Sequence, residues 1–293
     1  MNRFSSDRFY LLKYESTVVV VLVLLVVAAL EFTDYAHTRS AAFLWYLFPL
    51  FLVSFFHTGV SLVGGAAFLL VALWSGEFSL SATDGLVVLA AIVLGGKSAE
   101  WMHNAAHRNF RWPWLSTFMG ELCAMQQMVG YREWQISHFV HHKYPDDPEF
   151  DPHPPLHSGF LPYMLRMKFG IAMKFGDYYF ARFAKNRQNR IIWAVTGLLM
   201  VVSGFAKALL WYVLLGPTYF VLFLVVSNAI TYLVYAHFNY ATHRPSKTRP
   251  GAFDILDLTQ GWYRVLNWCL GGGYYHGTHH EQPRLYNPGL SRD

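Results

Sequence analysis

Val18 to Leu30 is unbroken aliphatic sequence, and it is only the first of several such runs. Others lie at about 41–57, 58–74, 84–106, 191–215 and 218–236, with the first extending over about 15–33. Each comes near the ~20 apolar residues that a helix needs to cross a bilayer. Composition agrees: hydrophobic residues make up 54% and charged residues 14%, against roughly a quarter charged in soluble domains. The expected fold is an all-α polytopic membrane bundle of about six spans. Residues 107–190 and 237–293 are expected to form a histidine-rich cap in water, and the whole chain, 1–293, one integral membrane domain.

The basic start (Arg3, Arg8, Lys13) and the small pair Ala28-Ala29 also suit a signal peptide, but further spans follow at once, so a retained first helix is expected. Residues 160–190 hold Arg166, Lys168, Lys174, Arg182, Lys185, Arg187 and Arg190, whereas 75–84 holds no lysine or arginine. The positive-inside rule then puts the N-terminus, 107–190 and the C-terminal segment in the cytoplasm. Gly216-Pro217 reads as the turn between the last two spans. The net charge of +5 comes without a long basic run, which speaks against nucleic acid as a partner. The two cysteines form neither a CxxC nor a zinc ribbon.

Fourteen histidines are present, and they are bunched. His138-Phe139-Val140-His141-His142 and His276-Gly277-Thr278-His279-His280 repeat one pattern, and His103 and His107 form an i, i+4 pair at the end of the fourth span. On a helix, positions i, i+3 and i+4 lie at about 0°, 300° and 40°, within one face. Asn239 and His243 share a face at the end of the sixth span, while His237 sits about 240° away from His243 and is expected to pack or support rather than ligate. A lone histidine is most often a surface or satisfied core residue, and His37, His57 and His157 are read that way. Clustered imidazoles repel one another if protonated and need partners if neutral; a metal meets both demands. The ligand set is thus His103, His107, His138, His141, His142, His243, His276, His279 and His280. These are too many for one ion, and two fit. Imidazole suits iron, copper and zinc. Only Glu100-xx-His103 matches the carboxylate-rich ExxH pattern of soluble di-iron bundles, so a histidine-rich di-iron centre that activates O2 is the better match.

With these motifs in this order, HxxxH, HxxHH, NxxxH and HxxHH, the chain resembles the membrane-bound fatty acid desaturase and hydroxylase superfamily over about residues 85–285. The resemblance implies two irons held by the nine histidines, Asn239 near one iron through water, and O2 as co-substrate. It also implies an external electron donor, such as ferredoxin or rubredoxin with its reductase, or cytochrome b5. The HxxxH spacing is more similar to acyl-lipid desaturases and alkane monooxygenases than to acyl-CoA desaturases. Asp146-Asp147-Pro148-Glu149-Phe150 and Thr242-His243-Arg244-Pro245 also resemble carotenoid ketolases.

Four further residues are candidates for supporting roles. Glu100 either orients an imidazole or ends a helix as an exposed charge; Asp147 and Asp151 either bond ligand histidines or solvate a proline-rich loop; His237 packs nearby. Gly271-Gly272-Gly273 reads as a flexible entry to the last box. No GxGxxG follows a strand, so electrons come from a separate protein. The expected activity is oxidation of an aliphatic C–H bond in a fatty acid or fatty acyl lipid, by desaturation or hydroxylation. Decarboxylation to a terminal alkene, and carotenoid ketolation or hydroxylation, are the alternatives. A divalent-metal transporter would place ligands near the bilayer midplane, whereas these clusters stand at helix ends.

Overall fold

The computed structural model of the chain describes residues 2–32, 81–154, 159–249 and 251–292. The spans expected at about 41–57 and 58–74 lie outside the described residues, as do His37, His57 and His157. Among the described residues, four helices are long and apolar enough to cross a membrane: Tyr10–Val27, Ala82–His107, Arg187–Gly216 and Phe220–Thr242. They coincide with the expected first, fourth, fifth and sixth spans.

A short helix α1 (Asn2–Ser6) leads into α2 (Tyr10–Phe32), and α3 (Ala82–His107) follows. A capping box starts α3: the Asp84 N–H donates to the Ser81 hydroxyl, and the Ser81 N–H donates back to the Asp84 carboxylate. Arg108, at φ 60° in the left-handed region, ends it by returning its N–H to the Ala105 carbonyl. Next come α4 (Pro113–Gln127), with proline in its first turn, α5 (Tyr131–Lys143) and α6 (Phe160–Phe183). The long α7 (Arg187–Tyr219) breaks at Gly216, whose φ of 68° combined with ψ of 170° strongly favours glycine, at the turn the sequence marks. A π-helical stretch, Phe220–Val225, continues into α8 (Val226–Thr242). Strands β1 (His243–Pro245) and β2 (Phe253–Ile255) pair antiparallel, with His243 opposite Ile255. The short helices α9 (Trp262–Cys269) and α10 (His276–Glu281) complete the described cap, with a 3-10 turn at Pro288–Arg292.

Helix α3 is the centre of the arrangement, packed between α4 and α8, while α2 lies along α7. Gly95 sets the α3–α8 distance, since a Cβ there would stand 2.5 Å from the Ser227 carbonyl. Close backbone approach of this kind is how membrane helices gain packing without a hydrophobic drive. Hydrogen bonds then fix the rotation. The Thr231 hydroxyl donates to the Gly95 carbonyl at 2.7 Å and the Tyr235 hydroxyl to the Ala99 carbonyl at 2.8 Å. From α4, Gln126 accepts from Ser98 and donates to Ser227, both at 2.6 Å, and Gln127 donates to Ser98 at 2.7 Å. Buried amides fully paired in this way specify one packing. The result is a fixed rotation for α3, and hence a fixed direction for the imidazoles at its end. The core beneath them is built from Ala99, Met102, Cys123, Tyr131, Tyr163 and Ala236, each buried.

Candidate metal centre

Three helices and a strand bring the nine predicted histidines together, in two adjoining groups. In each group one ring nitrogen per residue lies within 4.8 Å of all the others. The first group is His103, His107, His138, His142 and His279; the second is His141, His243, His276 and His280. The two HxxHH stretches are shared crosswise. Helix α5 gives its i and i+4 residues, His138 and His142, to the first group and His141 to the second. Helix α10 does the reverse, giving His276 and His280 to the second group and His279 to the first. The angles already carry this split, because i and i+4 differ by about 40° while i+3 stands about 60° to the other side. Sequence reading placed all three on one face and missed the division.

The contacts inside each group run through Nε2. His107 and His138 meet at 2.7 Å, His142 and His279 at 2.9 Å, and His138 and His142 at 3.2 Å. In the second group, His276 and His280 meet at 3.2 Å. The Nε2 atoms of His103, His141 and His243 are buried with no hydrogen-bond partner. The groups touch through the stacked rings of His142 and His280, with centroids 4.3 Å apart.

Carboxylates set the orientation. Nδ1 of His141 bonds Asp151 at 2.9 Å, and Nδ1 of His243 bonds Asp146 at 2.8 Å. A carboxylate on Nδ1 places the proton there and turns the Nε2 lone pair inward. Asp151 also accepts from the N–H groups of Asp146 and His153, which shapes the loop that holds both carboxylates. Asp151 is thus one of the two expected histidine partners, and Asp147 is not. Asp147 accepts from the N–H groups of Glu149 and Phe150, and its neighbour Asp146, overlooked in the sequence, takes the role. Asp146, which reaches His243, sits at φ 63° in the left-handed region. His153 was missed as well; with His141 and Asp151 it forms a third, smaller group.

Among the described residues, Glu100 makes no hydrogen bond to an imidazole. Its carboxylate pairs with Lys97 at 2.7 Å and is 6% exposed. His237 bonds the Tyr274 hydroxyl at 2.6 Å and stacks on Tyr263, outside both groups. Asn239 is buried and spends its amide nitrogen on the Tyr235 carbonyl of its own helix. The expectation that His243 lies on a helical face with Asn239 is corrected: α8 stops at Thr242, and His243 has extended dihedrals and starts β1. The side chain keeps its direction because the His243 N–H still donates to the Asn239 carbonyl, as in one more helical turn.

Two local devices hold α10 in place. Asp257 accepts from the Thr278 N–H at 2.9 Å and from its hydroxyl at 2.6 Å. Gly277 leaves room for the strand beside it, since a Cβ would come 2.9 Å from the Ile255 carbonyl. The triple glycine before α10 is a formed turn rather than a flexible entry. Gly271 and Gly272 have φ of 56° and 80°, and a Cβ on Gly271 would collide with Glu100 at 2.1 Å.

Burial, reinforced by neighbouring imidazoles, drives His138, His276 and His279 well below the ordinary imidazole range. Burial likewise lowers His142, and takes His280 to about 2. His243 is lowered by burial despite its bond to Asp146. His141 is the exception: burial lowers it, but the charges of Asp151 and Asp146 outweigh that and raise it. Asp151, which burial would raise, is held low chiefly by the charge of His141. Imidazoles that mostly resist protonation, with buried Nε2 atoms unpaired among the described residues, fit transition-metal ions at both groups.

An apolar pocket runs between α3, α8 and the segment after α9. Ala99, Val234, Phe238 and Leu270 line its walls, and it reaches His103 and His279. Helices long and apolar enough to span a membrane, two histidine groups able to hold metal ions and an apolar pocket reaching one of them are the features of a membrane protein with a candidate metal centre. The fatty acid desaturase family matches residues 80–292, and the chain belongs to it. Membership makes it a membrane-associated oxidoreductase of lipid chemistry. No curated protein and no solved structure matches the chain.

Proposed function

We propose that the chain is an O2-dependent oxidase of aliphatic C–H bonds, acting on a fatty acid or fatty acyl lipid with two iron ions held by the nine histidines. The crosswise sharing of the two HxxHH helices between adjoining groups carries the reading, because it builds two histidine-only sites side by side. His103, His107, His138, His142 and His279 would hold one ion, and His141, His243, His276 and His280 the other. Bound iron supplies reductive activation of O2 to an oxidant able to take hydrogen from an unactivated carbon.

The chain's own residues supply the rest. Asp146 and Asp151 keep protons on Nδ1 of His243 and His141, so both rings present Nε2. Asn239 serves the centre through water, its amide nitrogen held by the Tyr235 carbonyl. The pocket's apolar walls would bring an aliphatic segment of the substrate against His103 and His279. A separate donor, ferredoxin or rubredoxin with its reductase, or cytochrome b5, delivers electrons on the cytoplasmic side. The lysines and arginines between 160 and 190 support that orientation.

Metal analysis of purified protein tests the centre. About two irons per chain are expected, with much of that content lost in His279→Ala. One tightly held zinc with no iron would sink the di-iron reading. Lipid mass spectrometry of expressing cells, with His141→Ala as control, identifies the product as alcohol, alkene or shortened terminal alkene. Orientation is read by a membrane-impermeant maleimide on intact cells: in a Cys269→Ser background, Thr83→Cys should react and Lys185→Cys should not.

A further inference from the structure

Helix α9 turns an apolar face away from the protein. Trp262 and Trp268 are 82% and 84% exposed, and Val265 is 49% exposed. At about 100° per residue, Trp268, Val265, Cys269 and Trp262 fall within about 120° of arc. The opposite side is fastened down: the Asn267 amide donates to the Leu258 carbonyl and accepts from the Tyr274 N–H, both at 2.8 Å. Side chains of this size are seldom left bare on a surface that faces water.

The depth of α9 identifies what covers the face. Leu270, directly after the helix, packs on Gly96 of α3, where a Cβ would stand 3.1 Å from its Cδ2, and Gly271 packs on Glu100. Gly96 lies about 10 Å along α3 from His103, toward the membrane interior, at 1.5 Å per residue. Counted from Asp84 at the far end, ~30 Å of hydrocarbon extends past Gly96 to about the level of His103. The C-terminal end of α9 is therefore below the lipid boundary. Leu89, Ile92 and Val93 of α3 are exposed apolar side chains within about 60° of arc of Gly96, the residue that Leu270 packs on.

We propose that α9 is an interfacial helix, immersed in the lipid leaflet on the histidine side of the membrane and anchored by Trp262 and Trp268. Tryptophan at both ends suits the boundary between headgroups and acyl chains. Arg264, exposed on the flank, reaches up to the headgroups. A water-soluble partner would have to pass through headgroups to meet this face, which favours lipid as the occupant. The turn after α9, Leu270 to Gly273, also walls the pocket that reaches His103 and His279. The membrane surface and the pocket thus meet at one short segment.

The native cysteines provide the test, because Cys269 is exposed on this face and Cys123 is buried. A spin label on Cys269 of the full chain, reconstituted in phosphatidylcholine vesicles, is read by power saturation with O2 and with a nickel chelate. Two labelled references in a Cys269→Ser background set the scale: Leu89→Cys for lipid and Lys247→Cys for water. The label at Cys269 should match Leu89→Cys, with oxygen several-fold more effective than nickel. The double variant Trp262→Ser/Trp268→Ser, which removes no internal packing, should shift the ratio toward the water reference. A Cys269 label as open to nickel as Lys247→Cys overturns the proposal and leaves the face to a protein partner. Neither iron nor turnover enters the measurement, so its failure would leave the proposed oxidation untouched.

Discussion

Asp146 and Asp151 come from one loop, yet they aim imidazoles from different elements, His243 of β1 and His141 of α5. A carboxylate behind a metal-bound histidine typically accounts for about 10–100-fold in metal affinity. Asp146→Asn and Asp151→Asn should each lower iron retention by about that factor, measured by competition with a chelator. Asp147→Asn, which touches only the local turn, should stay within about twofold of wild type. The pair His237 and His243 gives a second comparison. His243→Ala removes a ring from the second group and should abolish turnover with loss of iron. His237→Phe forfeits one hydrogen bond to Tyr274, worth about 1 kcal/mol, and should lower the melting temperature while iron content persists. Iron lost equally in both variants would place His237 in the centre.

Among the elements, α10 is the most exposed to small errors of placement, since six residues carry ligands for both groups. Its approach is set by the turn at Gly271 and Gly272. Gly271→Ala would meet both a left-handed φ and the Glu100 carboxylate, at a cost above about 1 kcal/mol. Reduced iron content and a lowered melting temperature are expected, and an unchanged protein would mean that the turn can relax. The elements also divide by how much the sequence discloses. Spans such as α3 and α8 are legible because lipid demands a long apolar run and nothing else looks like one. Boxes such as His138 to His142 are legible because their spacing matches a helical face. The partners are not. Choosing Asp146 over Asp147 depends on the shape of a loop, and Asp257 meets Thr278 only after β2 and α10 have packed. The end of α8 one residue before His243 is likewise invisible, because Pro245 limits a helix without naming its last turn.

For the molecule as a whole, the histidines are a liability without metal. Those buried with lowered proton affinity, His280 to about 2 and His153 to about 4 among them, differ from an unfolded chain in which imidazole titrates near 6.5. Above 6.5 these lowered groups are neutral in both states and contribute nothing to the balance. As pH falls from 6.5 toward those folded values, the unfolded chain binds more protons and stability drops. His141, raised by Asp151, works in the opposite direction but is a single group. Metal-free protein should therefore unfold steeply as pH drops below about 6.5, followed by circular dichroism in detergent. The loaded protein should resist further into acid, since protons must first displace iron. Equal acid sensitivity with and without metal would contradict this.

The crosswise sharing of the boxes also imposes an order on biosynthesis. Both groups need residues of α10, the last ligand-bearing segment to leave the ribosome. Until it docks, the first group lacks His279 and the second lacks His276 and His280. The second group is then left with His141 and His243 alone, too few to hold an ion by themselves, so it depends on α10 more than the first does. Under the proposed reading, a full complement of iron would then report a chain whose last ligand-bearing helix is already seated.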